Sequence, residues 1–189
     1  MEIQRNFYLN ELVRKQGNGF VKIITGLRRC GKSYLLRKIF KNYLLNHGFS
    51  SNQIIEIAFD ERDSKKFCDS DVFYEYAKVK LEQCPNAIFL LDEIQLLDDF
   101  ESVLNGLLGK HAEIYATGSN ARFLSKDIIT EFRGRGDEIH MTPLCFAEYF
   151  SIFNDDKVKY DQQGQFFVYK SARGNLQLRI FISVKSDGR

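Results

Sequence analysis

The stretch GLRRCGKS, residues 26–33, constrains the fold of this 189-residue chain more than any other. It follows the short apolar run FVKIIT, residues 20–25, and it opens a segment, residues 32–46, with apolar residues at helical intervals. In a strand, glycine loop and helix in this order, backbone N–H groups converge on phosphate oxygens and the helix presents its positive end. The sequence therefore predicts a phosphate-binding loop. The alternative, a solvated basic turn, does not explain the flanking strand and helix.

Several positions of this segment, the nucleotide loop, have a predicted role. Gly26 and Gly31 let backbone N–H groups point inward, Lys32 reaches the β- and γ-phosphates, and the Ser33 hydroxyl coordinates Mg²⁺. The predicted nucleotide contacts are Gly26, Leu27, Arg28, Arg29, Cys30, Gly31, Lys32, Ser33 and Tyr34.

A second motif is the acidic pair, Asp92 and Glu93, which ends the apolar run IFLLDE. Asp92 is predicted to hold Mg²⁺ through water, and Glu93 to orient or deprotonate an attacking water. Acidic residues after strands also cap helices, and that role stays open for the pair. Glu93 beside Asp92 favours hydrolysis over nucleotide storage, because hydrolysis needs a group that activates water.

A third motif, YATGSN at residues 115–120, ends another predicted strand in small and amide residues. Asn120, with Ser119 behind it, is predicted to lie near the γ-phosphate and the attacking water. Either side chain could instead cap the next helix, and both roles could coexist.

Two arginines follow in FRGRGDE, residues 132–138. Arg135, or alternatively Arg133, could stabilise transition-state charge on the γ-phosphate, often as a residue offered by a neighbouring subunit. The alternative is that both are ordinary solvated side chains.

Strand and helix patterns alternate along most of the chain, which indicates an α/β fold with a mainly parallel sheet covered on both faces. We expect a helical lead-in at residues 1–19, the main domain at 20–154 and a divergent segment at 155–189. Strands are predicted at 20–25, 54–60, 87–93, 112–120 and 137–144, and helices at 6–15, 32–46, 71–83, 100–108, 121–132 and 145–153. After residue 154 the pattern supports only short strands or loop.

Composition narrows the class of protein further. Hydrophobic residues make up 44% and charged residues 28%, which excludes wholesale disorder, and the net charge of +2 decides nothing about nucleic acid. The four cysteines lack metal-ligand spacing, so zinc is not expected. No stretch resembles a signal peptide or a membrane span, and we expect a cytoplasmic location. Five basic residues could form a surface that binds DNA: Arg28, Arg29, Arg37, Lys38 and Lys41. The alternative is that they are the solvated face of a helix.

Taken together, ITGLRRCGKSYLL, FLLDEIQ, ATGSNARFLSKDIITEFRGR and MTPLCFAEYF resemble a family of bacterial and archaeal AAA-like P-loop ATPases over residues 23–150. The resemblance implies a P-loop NTPase three-layer α/β/α sandwich of the additional-strand type, with ATP and Mg²⁺ as ligands. It matches Asn120 to a polar sensor and Arg135 to an arginine finger. Members of that family continue into a longer C-terminal region, and the departure after Asn154 is consistent with a truncated or altered gene product.

The leading functional hypothesis is a Mg²⁺-dependent ATPase that releases ADP and phosphate, with a homo-oligomer implied if an arginine acts in trans. The alternative is a nucleotide-dependent switch that binds protein or DNA and has little turnover. A third hypothesis is a remnant that folds but does neither. A kinase is less favoured, because no acceptor-binding motif accompanies the acidic pair.

Overall fold

The structure, a computed structural model, describes residue 3, residues 5–118 and 134–144, and three short strands between residues 158 and 180. Its main sheet contains β1 (Val21–Gly26), β2 (Ile54–Ala58), β3 (Ile88–Asp92), β4 (Glu113–Thr117) and β5 (Gly136–Met141). The strands lie in the order β2-β3-β4-β1-β5, and all neighbours pair in parallel. Their carboxyl ends therefore share one edge, where ligands bind in open α/β sheets.

Four helices belong to the described residues: α1 (Asn6–Arg14), α2, α3 (Ser70–Gln83) and α4 (Phe100–Leu108). Helix α2 spans residues 32–46 as three successive segments, α-helical Lys32–Tyr34, π-helical Leu35–Phe40 and α-helical Lys41–Asn46. Short 3₁₀ turns occur at Ser51–Gln53, Arg62–Cys68 and Ile94–Leu96.

The residues that flank helix α3 explain where it begins and ends. The Asp69 carboxylate accepts hydrogen bonds from the N–H groups of Asp71 and Val72, both at 3.0 Å, which satisfies donors that have no partner within the first turn. The helix ends at Gln83, shortly before Pro85, because the residue before a proline is disfavoured in helical geometry.

Helices cover both faces of the sheet. On one face α3 and α4 pack against β3, where Phe73 and Phe89 belong to the same buried cluster. On the other face α1 and α2 pack, and the ring of Phe40 lies 4.5 Å from that of Tyr115. All five residues of β3 are consequently buried, as expected for a parallel strand covered twice. The predicted three-layer α/β/α fold with a parallel sheet is confirmed.

The amino-terminal edge of the sheet is held by ion pairs. The fully buried Lys22 ammonium donates to Glu113 at 2.7 Å, and Lys15 at the end of α1 pairs with Asp137 of β5. Burial lowers the pKa of Lys22, and the bond to Glu113 opposes that shift. The Lys15–Asp137 pair fixes the carboxyl-terminal end of α1 at the edge opposite the nucleotide loop.

Three further strands, β6 (Val158–Tyr160), β7 (Phe166–Val168) and β8 (Leu178–Ile180), form a separate antiparallel sheet in that order. Short strands are one of the two outcomes predicted after residue 154. The predicted helices at 121–132 and 145–153 lie outside the described residues. Among the described helices, none is both long and apolar enough to cross a membrane.

Candidate nucleotide-binding site

The nucleotide loop starts at Gly26, the last residue of β1, which pairs with Met141 of β5. Gly26 has φ +136°, and a Cβ built on it would lie 2.1 Å from the Met141 carbonyl oxygen. A side chain at this position would therefore force the two strands apart. Gly31, with φ +98°, precedes the first turn of α2 in a left-handed conformation. The two glycines thus let the chain turn from strand into helix within five residues.

Lys32 lies inside this loop. Its side chain is 4% exposed, and the Nζ atom donates to the carbonyl oxygens of Gly26 at 3.1 Å and Leu27 at 2.9 Å. Among the described residues the partners of this ammonium are neutral groups, and burial of a charge is costly unless an anion shares the site. The position of Lys32 is therefore suited to bind phosphate oxygens at the mouth of the loop.

Asp92 ends β3 and is 2% exposed, at the same edge of the sheet. Its Oδ1 atom accepts a hydrogen bond from Thr117 Oγ1 at 2.5 Å, and Ser33 also hydrogen-bonds its carboxylate. Burial raises the pKa of Asp92, while the bonds from Thr117 and Ser33 and the nearby Arg37 charge oppose the shift. The structure thus brings Ser33 and Asp92, both predicted metal ligands, into contact.

These two side chains fit Mg²⁺. A serine hydroxyl and a buried carboxylate supply the hard oxygen donors that this ion prefers, and a divalent cation offsets the cost of burying the Asp92 charge. Among the described residues no group of three or more His, Cys, Asp or Glu side chains could hold a metal alone. Mg²⁺ is usually bound by one or two protein oxygens together with substrate phosphates.

Glu93 follows Asp92 in the left-handed conformation, with φ 55° and ψ 50°. Its N–H donates to Thr117 Oγ1 at 3.0 Å, and its carboxylate accepts a bond from Gln95 Nε2 at 2.5 Å. The two bonds tie Glu93 to Thr117 and Gln95, next to Asp92. The geometry suits a group that orients a water molecule at this edge.

A cavity of about 570 Å³ adjoins the outer side of the loop. Its volume lies within the range of small-molecule sites. Most of its wall is apolar, with a guanidinium and a phenol among the polar groups. The residues that line it include Ile3, Arg5, Gly31, Tyr34, Met141 and Leu144.

The remaining predicted site residues differ in their exposure and in their distance from the loop. Leu27, Arg28 and Arg29 have exposed side chains and contribute backbone to the loop, whereas Cys30 is buried. Arg135 is exposed at the start of β5, where its carbonyl accepts from the Val21 N–H at 2.9 Å. This is the amino-terminal edge, about 17 Å of strand away from the loop. Asn120, Ser119 and Arg133 lie outside the described residues.

The sequence pattern of the AAA domain family matches residues 18–150. The chain belongs to this family of P-loop ATPases. An uncharacterized protein of Haemophilus influenzae is 34% identical over 156 residues, which cover 82% of this chain and 39% of that protein. An uncharacterized protein of Methanocaldococcus jannaschii is 32% identical over 138 residues, 71% of this chain and 29% of that protein. The chain therefore spans well under half the length of both relatives.

Among solved structures, the ORC1 protein of Aeropyrum pernix in complex with DNA is similar to this AAA domain in fold. The TM-score is 0.53 at 13% identity, over 81% of this chain and 49% of that one. At this identity the likeness extends to the fold alone.

Two residues near the acidic pair of this AAA domain, Thr117 and Arg37, were not predicted as part of the nucleotide site. Thr117 is fully buried, and its hydroxyl bonds to both members of the pair. Arg37 follows Ser33 by one helical turn, and its Nη1 atom lies 3.9 Å from Asp92 Oδ2. The i, i+4 spacing from Ser33 to Arg37 was a usable sequence signal. A threonine within a strand gives no comparable signal.

The surroundings of Arg37 also bear on the basic surface predicted for DNA. Arg37 pairs with Glu56 at 2.8 Å and with Glu61 at 2.7 Å, and Lys41 pairs with Glu56 at 2.6 Å. Burial alone would raise the pKa of Glu56, but hydrogen bonds from Lys41 and Arg37 outweigh it and hold the pKa below its ordinary value. The charges of Arg37 and Lys41 are thus already compensated within this AAA domain.

Replacement of Thr117 by valine is expected to lower the free energy of unfolding by about 1–3 kcal/mol, because it removes the hydroxyl that the buried Asp92 carboxylate and the Glu93 N–H both use. Urea unfolding measures this change. Thr117→Ser, which keeps the hydroxyl, is the control and should lose much less. A loss in Thr117→Val no larger than the loss in Thr117→Ser would contradict the role given to these hydrogen bonds.

Proposed function

We propose that this AAA domain binds ATP with Mg²⁺ and hydrolyses it to ADP and phosphate. One observation carries the proposal: the hydrogen bonds of Ser33 and Thr117 to the buried Asp92 join the end of the nucleotide loop to the acidic pair. A lysine inside the loop, two oxygen ligands and a second carboxylate therefore lie at one edge of the sheet. Phosphoryl transfer needs this combination of phosphate anchoring, metal binding and water orientation.

In this proposal the loop residues act first. The N–H groups at the start of α2 and the Lys32 ammonium hold the β- and γ-phosphates, with Lys32 exchanging its bonds to the loop carbonyls for bonds to phosphate oxygens. Ser33 and Asp92 hold the metal, which supplies neutralisation of the charge that develops on the phosphates. Glu93 orients the attacking water and accepts its proton.

The cavity beside the loop would hold the nucleoside. It continues from Gly31 toward Met141 and Leu144, so a base placed there contacts apolar side chains while its phosphates reach the loop. The choice of adenine over guanine rests on the family, as does Asn120 as a polar sensor.

Arg135 could complete such a site only in a neighbouring subunit. In its own chain it lies at the opposite edge of the sheet from Gly26, with all of β1 between them. We therefore propose that turnover depends on self-association, or on another protein that supplies the arginine.

The three cysteines in the described part of the chain are free thiols, which supports our proposal of a reducing, cytoplasmic location.

The test is phosphate release from ATP by the parent chain, with Mg²⁺ and with EDTA, over a hundredfold range of protein concentration. We expect release only with Mg²⁺, and a specific activity that rises with concentration if an arginine acts in trans. ATP binding without release, at every concentration, would instead support the nucleotide-dependent switch. Absence of binding would contradict both functions.

A further inference from the structure

Arg5 is a buried arginine that reaches two walls of the cavity beside the nucleotide loop. It precedes α1 and is only 3% exposed. Its Nη1 atom donates to the Cys30 carbonyl at 3.3 Å, and its Nη2 atom donates to the Thr142 carbonyl at 2.8 Å. Cys30 belongs to the loop, whereas Thr142 directly follows β5. One guanidinium therefore connects the loop to the chain that leaves β5, the strand paired with β1.

The bond to Cys30 acts on the backbone of the loop. The Cys30 carbonyl and the Gly31 N–H belong to the same planar peptide group, so fixing the direction of one fixes the direction of the other. Glycine at position 31 would otherwise allow this peptide to rotate with little steric hindrance. A charged donor makes the stronger type of hydrogen bond, which suits it to hold such a peptide in place.

A second residue, Tyr8, also bonds to Thr142. The Tyr8 hydroxyl and the Thr142 hydroxyl lie 2.9 Å apart, and the Thr142 N–H donates to the Tyr8 oxygen at 3.1 Å. The Arg5 guanidinium also lies over the Tyr8 ring, 4.7 Å from its centroid. The Tyr8 hydroxyl thus secures Thr142 after the end of β5. The two residues allow the two attachments to be separated by mutation.

We propose that Arg5 is a positioning residue for ATP binding: it holds the Cys30–Gly31 peptide in the orientation that phosphate requires, and its bond to Thr142 keeps the guanidinium in place. This rests on the proposed function of the loop. Without Arg5 the loop N–H groups have to be ordered by the nucleotide itself, which weakens affinity without changing the residues that act on the γ-phosphate. Removal of Arg5 is therefore expected to lower the affinity for ATP more than the rate of the chemical step.

The experiment compares Arg5→Ala, Arg5→Lys and Tyr8→Phe with the parent chain. For each protein, Mg·ATP affinity is titrated, KM and kcat are measured, and thermal unfolding is followed without nucleotide. Arg5→Ala should weaken ATP binding and raise KM by at least about tenfold, with kcat at saturating ATP changed less than about threefold. Arg5→Lys keeps the charge but has a single ammonium for two carbonyls, so it should recover part of the affinity.

Tyr8→Phe is the matched control. It removes hydrogen bonds to Thr142 and should lower the unfolding temperature, yet leave ATP affinity within about twofold. Parent-like ATP affinity in Arg5→Ala would overturn the proposal for Arg5 alone, as would equal weakening by Tyr8→Phe. If Arg5→Ala does not fold, parent-like affinity in Arg5→Lys overturns it instead. A parent chain that binds no ATP would contradict the proposed function itself, and the role of Arg5 with it.

Discussion

Lys32→Ala should abolish measurable binding of Mg·ATP, raising the dissociation constant by about a hundredfold or more. The reason is the position of the ammonium, which is 4% exposed and held inside the loop by two carbonyl groups. Removing it takes away the only side-chain cation that the structure places inside the described loop, where a triphosphate would bring concentrated negative charge. Titration of a fluorescent ATP analogue measures the effect directly.

Lys38→Ala is the matched control for this prediction. Lys38 lies on the same helix, is exposed, and carries the same charge, so its loss changes the net charge equally without touching the loop. Its affinity for ATP should stay within about twofold of the parent. Similar losses in both variants would show that general electrostatic attraction, and not a bond at the loop, accounts for the binding. Far-ultraviolet circular dichroism should show both variants folded.

Most of the fold could be predicted because the signals are local. The helix at 100–108 has the predicted bounds, and the strands at β1 to β4 fall where β-branched and apolar runs lie between turn residues. The order of the strands in the sheet could not be read from such signals, because it depends on contacts between residues far apart in sequence. The order β2-β3-β4-β1-β5 is therefore a finding of the structure, whereas the parallel α/β sheet was predicted and is confirmed.

The site was predictable where residue type and spacing carry chemistry. Gly26, Gly31, Lys32 and Ser33 have a fixed spacing in the chain, and the structure brings Ser33 to Asp92. Thr117 could not be found in this way, because its role arises from the pairing of β3 with β4, which sets its hydroxyl between Asp92 and the Glu93 N–H.

Arg5 could not be predicted from the sequence for a similar reason. It lies before the first helix, where a charged residue ordinarily indicates a solvated end of the chain, yet it is buried against residues 30 and 142. Contacts between positions so distant in sequence have no periodic signature. The residues that support the loop from behind therefore needed the structure, whereas the residues predicted to face the phosphates were identified from the sequence.

Glu93→Gln is expected to lower ATP turnover by about a hundredfold to a thousandfold while leaving the dissociation constant for Mg·ATP within about threefold. Glutamine has the same shape and still offers an oxygen to Gln95 Nε2, and the backbone bond from position 93 to Thr117 does not involve the side chain. What it lacks is a basic oxygen that can accept the proton of water. Single-turnover phosphate release, set beside equilibrium binding, separates the two effects.

Asp98→Asn serves as the control for Glu93→Gln, since Asp98 is an exposed acid in the same connection between β3 and α4. It removes an equal charge and should leave turnover within about twofold. Undiminished turnover in Glu93→Gln would assign water activation to another group and leave Glu93 with a role in the backbone turn. Loss of turnover with retained affinity would show that the two parts of the site have different roles. Binding would then depend on the loop that carries Lys32, and hydrolysis on the carboxylate of Glu93, which follows β3.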